Sequence, residues 1–218
     1  MNKPVIIIGA GDHAKVLLDI LLEQGVKVIG LADKTVPRRT LIYGISVVGD
    51  DNMVLRYSPD EVTLVNGIGS VETLNLRKRI YNYFKEKGYF FSYVMHSSAV
   101  VSNRTKLCEG CQILAKTVIN TEAVIGENTI INTGSIIEHG CCIGNHVHIA
   151  PGCTLSGCVK IGDCTHIGTG SSVIQGITIG NNVLLGAGSV VINNIKDNSK
   201  AYGVPAKMRN TIQMMGGG

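Results

Sequence analysis

At 218 residues the chain is long enough for one large domain or two small ones. Its formal net charge of +4 is modest and its basic residues are scattered, which argues against a nucleic-acid partner. No apolar run reaches the length of a membrane span and the N-terminus does not resemble a signal peptide, so we expect no membrane partner and a cytoplasmic location.

The first part of the chain alternates patterns that are typical of buried strands and amphipathic helices. Strand patterns lie at residues 5–8, 26–32 and 62–66, and helical patterns lie at residues 15–24 and 71–87. This order predicts a small parallel sheet with helices packed on it, an α/β Rossmann-like domain that spans residues 1–96. No element is assigned to residues 34–60, which contain two prolines.

A glycine-rich loop joins the first strand to the first helix. Residues 9–14 read G-A-G-D-H-A and fit the pattern G-x-G-x-x-A, and Asp33 closes the second strand. The glycines allow the backbone close to a phosphate, the helix N-terminus favours its charge, and Asp33 can accept from a sugar or a base. The second half of an NAD-binding sheet would not fit before the repeat described below, so a mononucleotide or nucleotide-sugar is favoured. His13 either contacts this ligand or merely caps the helix.

The densest basic cluster of the chain lies in the second helical pattern. It reads Arg77-Lys78-Arg79 and is followed by two tyrosines, Tyr81 and Tyr83. We interpret the cluster as the solvated face of a helix, with nucleic-acid binding as the weaker alternative.

From residue 101 to residue 196 the sequence repeats every six residues. An aliphatic residue opens each of sixteen hexads, and the fifth position of every hexad is small or β-branched. A short fixed period predicts a parallel β-solenoid, in which three hexads close one triangular coil and coils stack about 4.8 Å apart. An Ile-rich β-sandwich is the alternative, and sixteen hexads in phase disfavour it. Residues 202–207 are predicted to close the last coil as an extended segment.

Seven cysteines raise the question of disulfides or zinc, and residues 108–111 form a C-x-x-C pair. However, Cys111, Cys141 and Cys153 occupy the fifth hexad position, where a thiol packs as a small hydrophobe. A second C-x-x-C pair is missing, so we predict no metal. The odd number of cysteines favours a reducing compartment.

Four histidines lie inside the repeat, where an eighteen-residue coil determines which side chains stack. His139 is predicted to lie at a corner between Thr121 and Gly157, and His148 is predicted to stack with His166. A corner histidine is by default a solvated residue. His139 is the exception because it can point towards a neighbouring subunit, with the backbone N–H of Gly157 open beside it.

Three motifs together resemble one family. They are G-A-G-D-H-A-K at residues 9–15, N-T-G-S-I-I-E-H at residues 132–139 and G-V-P-A-K at residues 203–207. Over nearly the whole chain the sequence resembles the two-domain hexapeptide-repeat sugar acetyltransferases, which include bacterial UDP-4-amino-sugar and GDP-perosamine N-acetyltransferases and sialic acid O-acetyltransferases. The resemblance implies a left-handed parallel β-helix over residues 97–218. It also implies a homotrimer, acetyl-CoA in the cleft between neighbouring β-helices, and a nucleotide-sugar on the N-terminal domain.

The resemblance also implies roles for individual residues. It makes His139 the catalytic base, places Asn132 near the sugar and turns His148 and Gly157 towards the acetyl group. A carboxylate that orients the base would have to come from Glu138 or from another chain. Gly168 and Ala187 would contact the cofactor. The nucleotide-sugar would be held by Gly9, Gly11, Asp12, His13, Asp33, Gly67 and Gly69. Family members often carry an acidic residue directly after the histidine, and here that position is Gly140.

The expected reaction is direct acetyl transfer from acetyl-CoA to the 4-amino group of a nucleotide-linked amino-deoxy sugar. A neutral imidazole removes the proton of the attacking amine, so no protein nucleophile is required. The alternative within the class is acetylation of a sugar hydroxyl, as on sialic acid. Two other classes are a metal lyase of the γ-carbonic anhydrase type, with His146 and His148 as its nearest histidine pair, and a nucleotide-sugar-binding protein without activity.

Overall fold

The computed structural model describes residues 3–70 and 74–211. The chain divides between residues 94 and 95 into an N-terminal unit and a second unit, here called the coil unit. The first strand of the repeat structure, Val94–Met95, spans this division and lies one hexad before the strand Val100–Val101, so the six-residue register already includes Met95.

The N-terminal unit is a parallel sheet with helices. Its elements are β1 (Val5–Ile8), α1 (Asp12–Glu23), β2 (Val28–Ala32), β3 (Leu41–Ile42), β4 (Ile45–Gly49), α2 (Asp51–Val54), β5 (Thr63–Asn66) and α3 (Asn75–Glu86). The strand order is β3-β4-β2-β1-β5, and every pair is parallel except the β3–β4 hairpin. The predicted α/β Rossmann-like fold is therefore confirmed. The unassigned segment supplies the edge hairpin and the short α2, and part of the second helical pattern, residues 71–73, lies outside the described residues.

The central strand explains why this unit folds as it does. All four residues of β1 are buried, as expected for a strand of a parallel sheet that is covered on both faces. Helix α1 starts at Asp12, three residues before the predicted start, because Gly11 provides its N-cap in an extended conformation.

The interpretation of the basic cluster is wrong for Arg77. Its side chain is only 1% exposed in α3, whereas Lys78 is half-buried and Arg79 is exposed. Charge alone gave no reason to separate the three residues.

The coil unit is a three-sided parallel β-helix. Its strands are β6 (Val94–Met95), β7 (Val100–Val101), β8 (Lys106–Leu107), β9 (Gln112–Ile113), β10 (Val118–Ile119), β11 (Val124–Ile125), β12 (Ile130–Ile131), β13 (Ile136–Ile137), β14 (Cys142–Ile143), β15 (His148–Ile149), β16 (Thr154–Leu155), β17 (Lys160–Ile161), β18 (His166–Ile167), β19 (Ser172–Val173), β20 (Thr178–Ile179), β21 (Leu184–Leu185), β22 (Val190–Val191), β23 (Ser199–Gly203) and β24 (Ala206–Thr211). Strands eighteen residues apart pair in parallel, for example Val118 with Ile136. This confirms the predicted hexapeptide solenoid.

The three sides differ in length. One side carries the eight-stranded sheet β24-β23-β21-β18-β15-β12-β9-β6, the next the six-stranded sheet β22-β19-β16-β13-β10-β7, and the third the five-stranded sheet β20-β17-β14-β11-β8. The last coil is closed by β23, which pairs in parallel with β21, and by β24, which returns antiparallel to β23. Residues 202–207, which were predicted to be an extended segment that closes the last coil, form the turn of this hairpin and the strand ends on either side of it.

Side chains at the fifth hexad position do more than fill space. Thr129 and Thr165 donate through Oγ1 to the carbonyl oxygens of Gly144 and Gly180, at 2.8 and 2.7 Å. The thiol of Cys153 donates in the same way to the carbonyl oxygen of Gly168 at 3.2 Å. These corner carbonyl groups are therefore satisfied from inside the coil.

All seven cysteines are free thiols. Burial raises the pKa of the Cys111 thiol to about 12 and that of the Cys141 thiol to about 11, so both stay protonated and unreactive near neutral pH.

We predict that Thr165→Val destabilises the protein. Thr165 is fully buried, and its hydroxyl donates to the Gly180 carbonyl and accepts from the Val183 N–H at 3.0 Å. Valine keeps the shape but leaves two buried backbone groups without this partner, which costs about 1–3 kcal/mol in the free energy of unfolding. Urea unfolding measures the change.

The matched control is Thr178→Val, because Thr178 is exposed on the outside of the same coil. We expect its free energy of unfolding to stay within about 0.5 kcal/mol of the wild-type value. Equal destabilisation by the two substitutions would show that the inner hydroxyl has no special role.

Candidate functional site

Three backbone segments meet at the carboxyl edge of the N-terminal sheet. Gly9 follows β1 with φ +98°, and a Cβ atom there would lie 2.9 Å from Cδ1 of Ile68. Gly11 caps α1 without a side-chain hydrogen bond, and an added Cβ at Gly11 would have no heavy atom within 4 Å. The start of α1 is therefore open to a ligand, and its dipole favours a negative charge.

Asp33 fixes the glycine loop from the neighbouring strand. Its Oδ2 accepts from the Ala10 N–H at 2.8 Å, and its Oδ1 accepts from the N–H and the hydroxyl of Thr35, both at 2.7 Å, and from the Val36 N–H at 3.1 Å. Burial disfavours the charged form, but the hydrogen bonds from Thr35, Val36 and Ala10 outweigh burial and lower the pKa of Asp33. Asp33 is thus an ionised carboxylate whose Oδ2 has capacity for one more donor.

The loop after β5 packs directly against this site. A Cβ atom at Gly67 would lie 2.7 Å from Cβ of Ala14, and one at Gly69 would lie 3.3 Å from Cβ of His13. The structure therefore brings together the residues that were predicted to hold the nucleotide-sugar, namely Gly9, Gly11, Asp12, His13, Asp33, Gly67 and Gly69. Asp12 itself is exposed and forms an ion pair of 2.9 Å with Lys15.

His139 lies at the corner between the six-stranded and five-stranded sides of the coil unit. Its exposed ring lies over Gly157 of the next coil, where a Cβ atom would be only 2.6 Å from the ring atoms Cε1 and Nε2. Only glycine at position 157 allows the ring to lie there. Among the described residues, no partner accepts a hydrogen bond from the Gly157 N–H, so a backbone donor stands next to an imidazole.

Glu138 and Gly140 flank this histidine. The Glu138 carboxylate accepts from Nδ2 of Asn120 at 3.0 Å, and no hydrogen bond links it to the His139 ring within the described chain. Gly140 has φ +65°, and a Cβ there would lie 3.2 Å from Sγ of Cys158. The same corner position has a positive φ at Glu122, eighteen residues earlier, and at Cys158, so the backbone conformation alone does not account for the lack of an acidic residue at position 140. The sequence analysis did not identify Asn120 as the partner of Glu138. The eighteen-residue period would have indicated it, because Asn120 lies eighteen residues before Glu138.

A second histidine cluster lies on the eight-stranded side. Oδ1 of Asn132 accepts from the Thr133 N–H at 2.7 Å, so its Nδ2 is the atom that faces Nε2 of His148 at 3.1 Å. Nε2 is then an acceptor, which assigns the proton of the neutral imidazole to Nδ1. The His166 ring meets the His148 ring edge-on, with centroids 4.9 Å apart, and burial lowers the pKa of His166.

The remaining predicted residues lie at the corner after the eight-stranded side. Gly168 and Ala187 belong to consecutive coils, and a Cβ at Gly168 would lie 2.5 Å from the backbone nitrogen of Ala187. Asn132 occupies the same kind of corner, whereas His139 and Gly157 lie one corner further along the chain. The residues predicted for the acetyl site therefore fall into two groups on different corners of one chain.

Two further features bear on possible ligands. In residues 3–70 and 74–211, no group of three or more His, Cys, Asp and Glu side chains is arranged to hold a metal ion. No helix in the same part of the chain is long and apolar enough to cross a membrane.

Two protein families match parts of the sequence. The PglD N-terminal domain family matches residues 4–84, and the bacterial transferase hexapeptide (six repeats) family matches residues 122–157. Each match falls in one of the two units described above.

Solved structures match the chain almost from end to end. Perosamine N-acetyltransferase from Caulobacter crescentus, a histidine-to-asparagine variant in complex with CoA and GDP-perosamine, is 35% identical with a TM-score of 0.89, over 95% of this chain and 97% of that one. The acetyltransferase domain of PglB from Neisseria gonorrhoeae in complex with acetyl coenzyme A is 29% identical with a TM-score of 0.89, over 96% and 100%. WeeI from Acinetobacter baumannii is 21% identical with a TM-score of 0.86 over 95% and 100%, and shares the fold.

We predict that His148 carries its proton on Nδ1. The hydrogen-bond pattern of Asn132 requires an unprotonated Nε2 in the neutral ring. Long-range nitrogen–proton NMR correlations at about pH 8 distinguish the two tautomers directly. Asn132→Ala should produce a mixture of tautomers, and an Nε2–H tautomer in the wild-type protein would contradict the assignment.

Proposed function

The chain belongs to the two-domain hexapeptide-repeat sugar acetyltransferases, and we propose that it transfers the acetyl group of acetyl-CoA to the 4-amino group of a nucleotide-linked amino-deoxy sugar. The strongest support is the likeness, over 95% of the chain, to an N-acetyltransferase whose structure contains CoA and GDP-perosamine. The acetyl-CoA complex of the PglB domain supports the same donor. The arrangement of His139 and Gly157 provides the chemistry that such a transfer needs.

His139 is the general base in this proposal. A sugar amine attacks a thioester only as its free base, and an imidazole can take up the proton near neutral pH, which contributes roughly 10²–10⁴-fold. The His139 ring is exposed and can be reached by the sugar. Its position over Gly157 holds it without a carboxylate partner in the described chain.

The negative charge of the tetrahedral intermediate requires a donor close to the base. The open N–H of Gly157 lies beside the His139 ring and is suited to the developing oxyanion, a role that is typically worth about 10²–10³-fold. We assign His148, whose Nε2 lies 3.1 Å from Nδ2 of Asn132, to the acetyl-CoA side of the site. Attack, proton removal and release of CoA then need no covalent enzyme intermediate.

The working form in this proposal is a homotrimer with acetyl-CoA between neighbouring β-helices. In one chain, His139 and Gly157 lie at a different corner from Asn132, His148, Gly168 and Ala187. A second subunit packed along the coil would bring one group opposite the other. Exposed aliphatic side chains on the outside of the coil, such as Val100, at 65% exposure, and Ile174, at 45%, would be covered by such a contact.

The nucleotide part of the acceptor is assigned to the N-terminal unit. The open start of α1 suits a phosphate, and Oδ2 of Asp33 suits a hydroxyl or N–H donor of the nucleoside. His13 and Gly69 border the same space. The chain is accordingly proposed to act on free nucleotide-sugars in the cytoplasm.

We predict that the purified protein adds one acetyl group to a UDP-4-amino sugar or to GDP-perosamine. Mass spectrometry with acetyl-CoA detects the gain without interference from the seven cysteines. His139→Asn should lower kcat by at least about 10²-fold because the base is lost. His96→Asn, at the start of the coil unit, removes a different histidine and should leave kcat unchanged.

Transfer to neither amino sugar would overturn the proposal for an amine acceptor. Hydroxyl acceptors such as sialic acid would then be the next substrates to measure. Full activity of His139→Asn would overturn the assignment of the base.

Gly157→Ala tests the geometry of the base and not merely its presence. The new Cβ would lie 2.6 Å from the exposed His139 ring, so the ring must move while the backbone can remain as it is. A displacement of about 1 Å can cost about 10²-fold in rate, so kcat should fall by that order with an almost unchanged melting temperature. A comparable loss of melting temperature and activity would indicate general disruption of the coil.

A further inference from the structure

Helix α3 contains a buried cation that binds a loop at the edge of the sheet. The Arg77 side chain is 1% exposed, and its Nη1 donates to the carbonyl oxygens of Asn66 at 2.8 Å and Ile68 at 2.7 Å. Burial lowers the pKa of Arg77 to about 9, so the guanidinium is still charged at neutral pH. A buried charge is costly unless hydrogen bonds compensate it, and both of these bonds go to one loop.

Asn66 also donates a hydrogen bond to Arg77. Its Nδ2 donates to the carbonyl oxygen of Arg77 at 3.0 Å, and its Oδ1 accepts from the Ile68 N–H at 3.2 Å. Four hydrogen bonds thus join Asn66, Ile68 and Arg77 in the described chain: the guanidinium donates two, and the Asn66 side-chain amide donates one and accepts one. These bonds attach the turn Asn66-Gly67-Ile68-Gly69 to helix α3.

This turn supports the candidate nucleotide site. Cδ1 of Ile68 would be 2.9 Å from a Cβ at Gly9, and Gly69 borders His13. Gly67 is packed against Ala14 in the first turn of α1. A shift of the turn would therefore displace both the glycine loop and the start of α1.

We propose that Arg77 is a positioning residue for the nucleotide part of the substrate, acting through Asn66 and Ile68 on the glycine loop and His13. The inference rests on the proposed function for the identity of the ligand. An apolar side chain of similar size would fill the same volume without the cost of a buried charge. The guanidinium contributes a fixed position for a loop that contacts the site, which an apolar side chain does not provide.

The test compares three variants in steady-state kinetics. Arg77→Met removes the charge and the donors, Arg77→Lys keeps the charge but loses the planar fork, and Arg79→Met removes an exposed charge from the same helix. For Arg77→Met we expect the KM for the nucleotide amino sugar to rise about tenfold, with the KM for acetyl-CoA and kcat within about twofold. Arg77→Lys should lie between Arg77→Met and the wild type, and Arg79→Met should match the wild type.

A structural role alone gives a different result. If Arg77→Met lowers the melting temperature and the active fraction, but leaves the nucleotide-sugar KM unchanged or raises both KM values alike, the inference is wrong. If Arg77→Met does not fold, Asn66→Ala keeps the guanidinium and removes the amide bonds. A selective rise of about threefold in the same KM supports the inference, and no rise contradicts it.

Binding measurements separate this inference from the proposed function. Isothermal titration of GDP and UDP into the wild-type protein and Arg77→Lys needs no acetyl transfer. Weaker nucleotide binding by the variant supports the positioning role even if no amino sugar is acetylated. Equal binding by the two proteins overturns the role even if the acetyltransferase reaction is observed.

Discussion

The hydrogen bonding of each coil to the next is the constraint on which the coil unit depends. Backbone N–H groups donate to carbonyl groups seventeen residues further on, as from Val118 to Ser135 at 3.0 Å and from Gln112 to Thr129 at 2.8 Å. This ladder leaves residues eighteen apart stacked on one another, so each corner side chain has a fixed neighbour above and below. His139 lies over Gly157 for this reason, and not because a mobile loop has closed on it. If His139 is the base, as proposed above, its position on such a scaffold is pre-organised before substrate binds.

A glycine lies at the proposed ligand site of each unit, although the two units have different folds. In each, the glycine leaves space at this site: Gly11 precedes the start of α1 with no heavy atom within 4 Å of an added Cβ, and Gly157 leaves room for the His139 ring. A backbone donor faces phosphate in one proposed site and a developing oxyanion in the other. Both proposed ligands are anionic, and the two glycines lie directly beside regular structure, Gly11 in the bend before α1 and Gly157 in a corner turn of the coil unit.

The sequence carried most of the fold because its signals are periodic. Hexads in phase predicted which residues face inward, and the eighteen-residue offset correctly stacked His139 on Gly157 and His148 on His166. Two kinds of interaction were not predictable: side-chain bonds to backbone groups, and contacts between residues that are not eighteen positions apart. Arg77 looked like its two basic neighbours because its partners are carbonyl groups, which have no signature in the sequence. Asn132 and His148 are sixteen residues apart in the sequence and therefore do not stack directly. Their side-chain conformations bring Nδ2 and Nε2 within 3.1 Å of each other.

His139 packs against the Gly157 backbone and is followed by Gly140, at the position where the resemblance led us to expect an acidic residue. Gly140 adopts the left-handed conformation that Glu122 and Cys158 adopt at the same corner of the neighbouring coils, so the backbone itself does not require glycine there. In the proposed mechanism, the cost in rate of lacking an acidic neighbour depends on whether the His139 imidazolium forms in water or in a buried site. The His139 ring is exposed, and a hydrated cation gains much less from an adjacent carboxylate than a buried one does. The main contribution that a carboxylate would make is then to orient the His139 ring. In this chain the contact with the Gly157 backbone orients the ring instead.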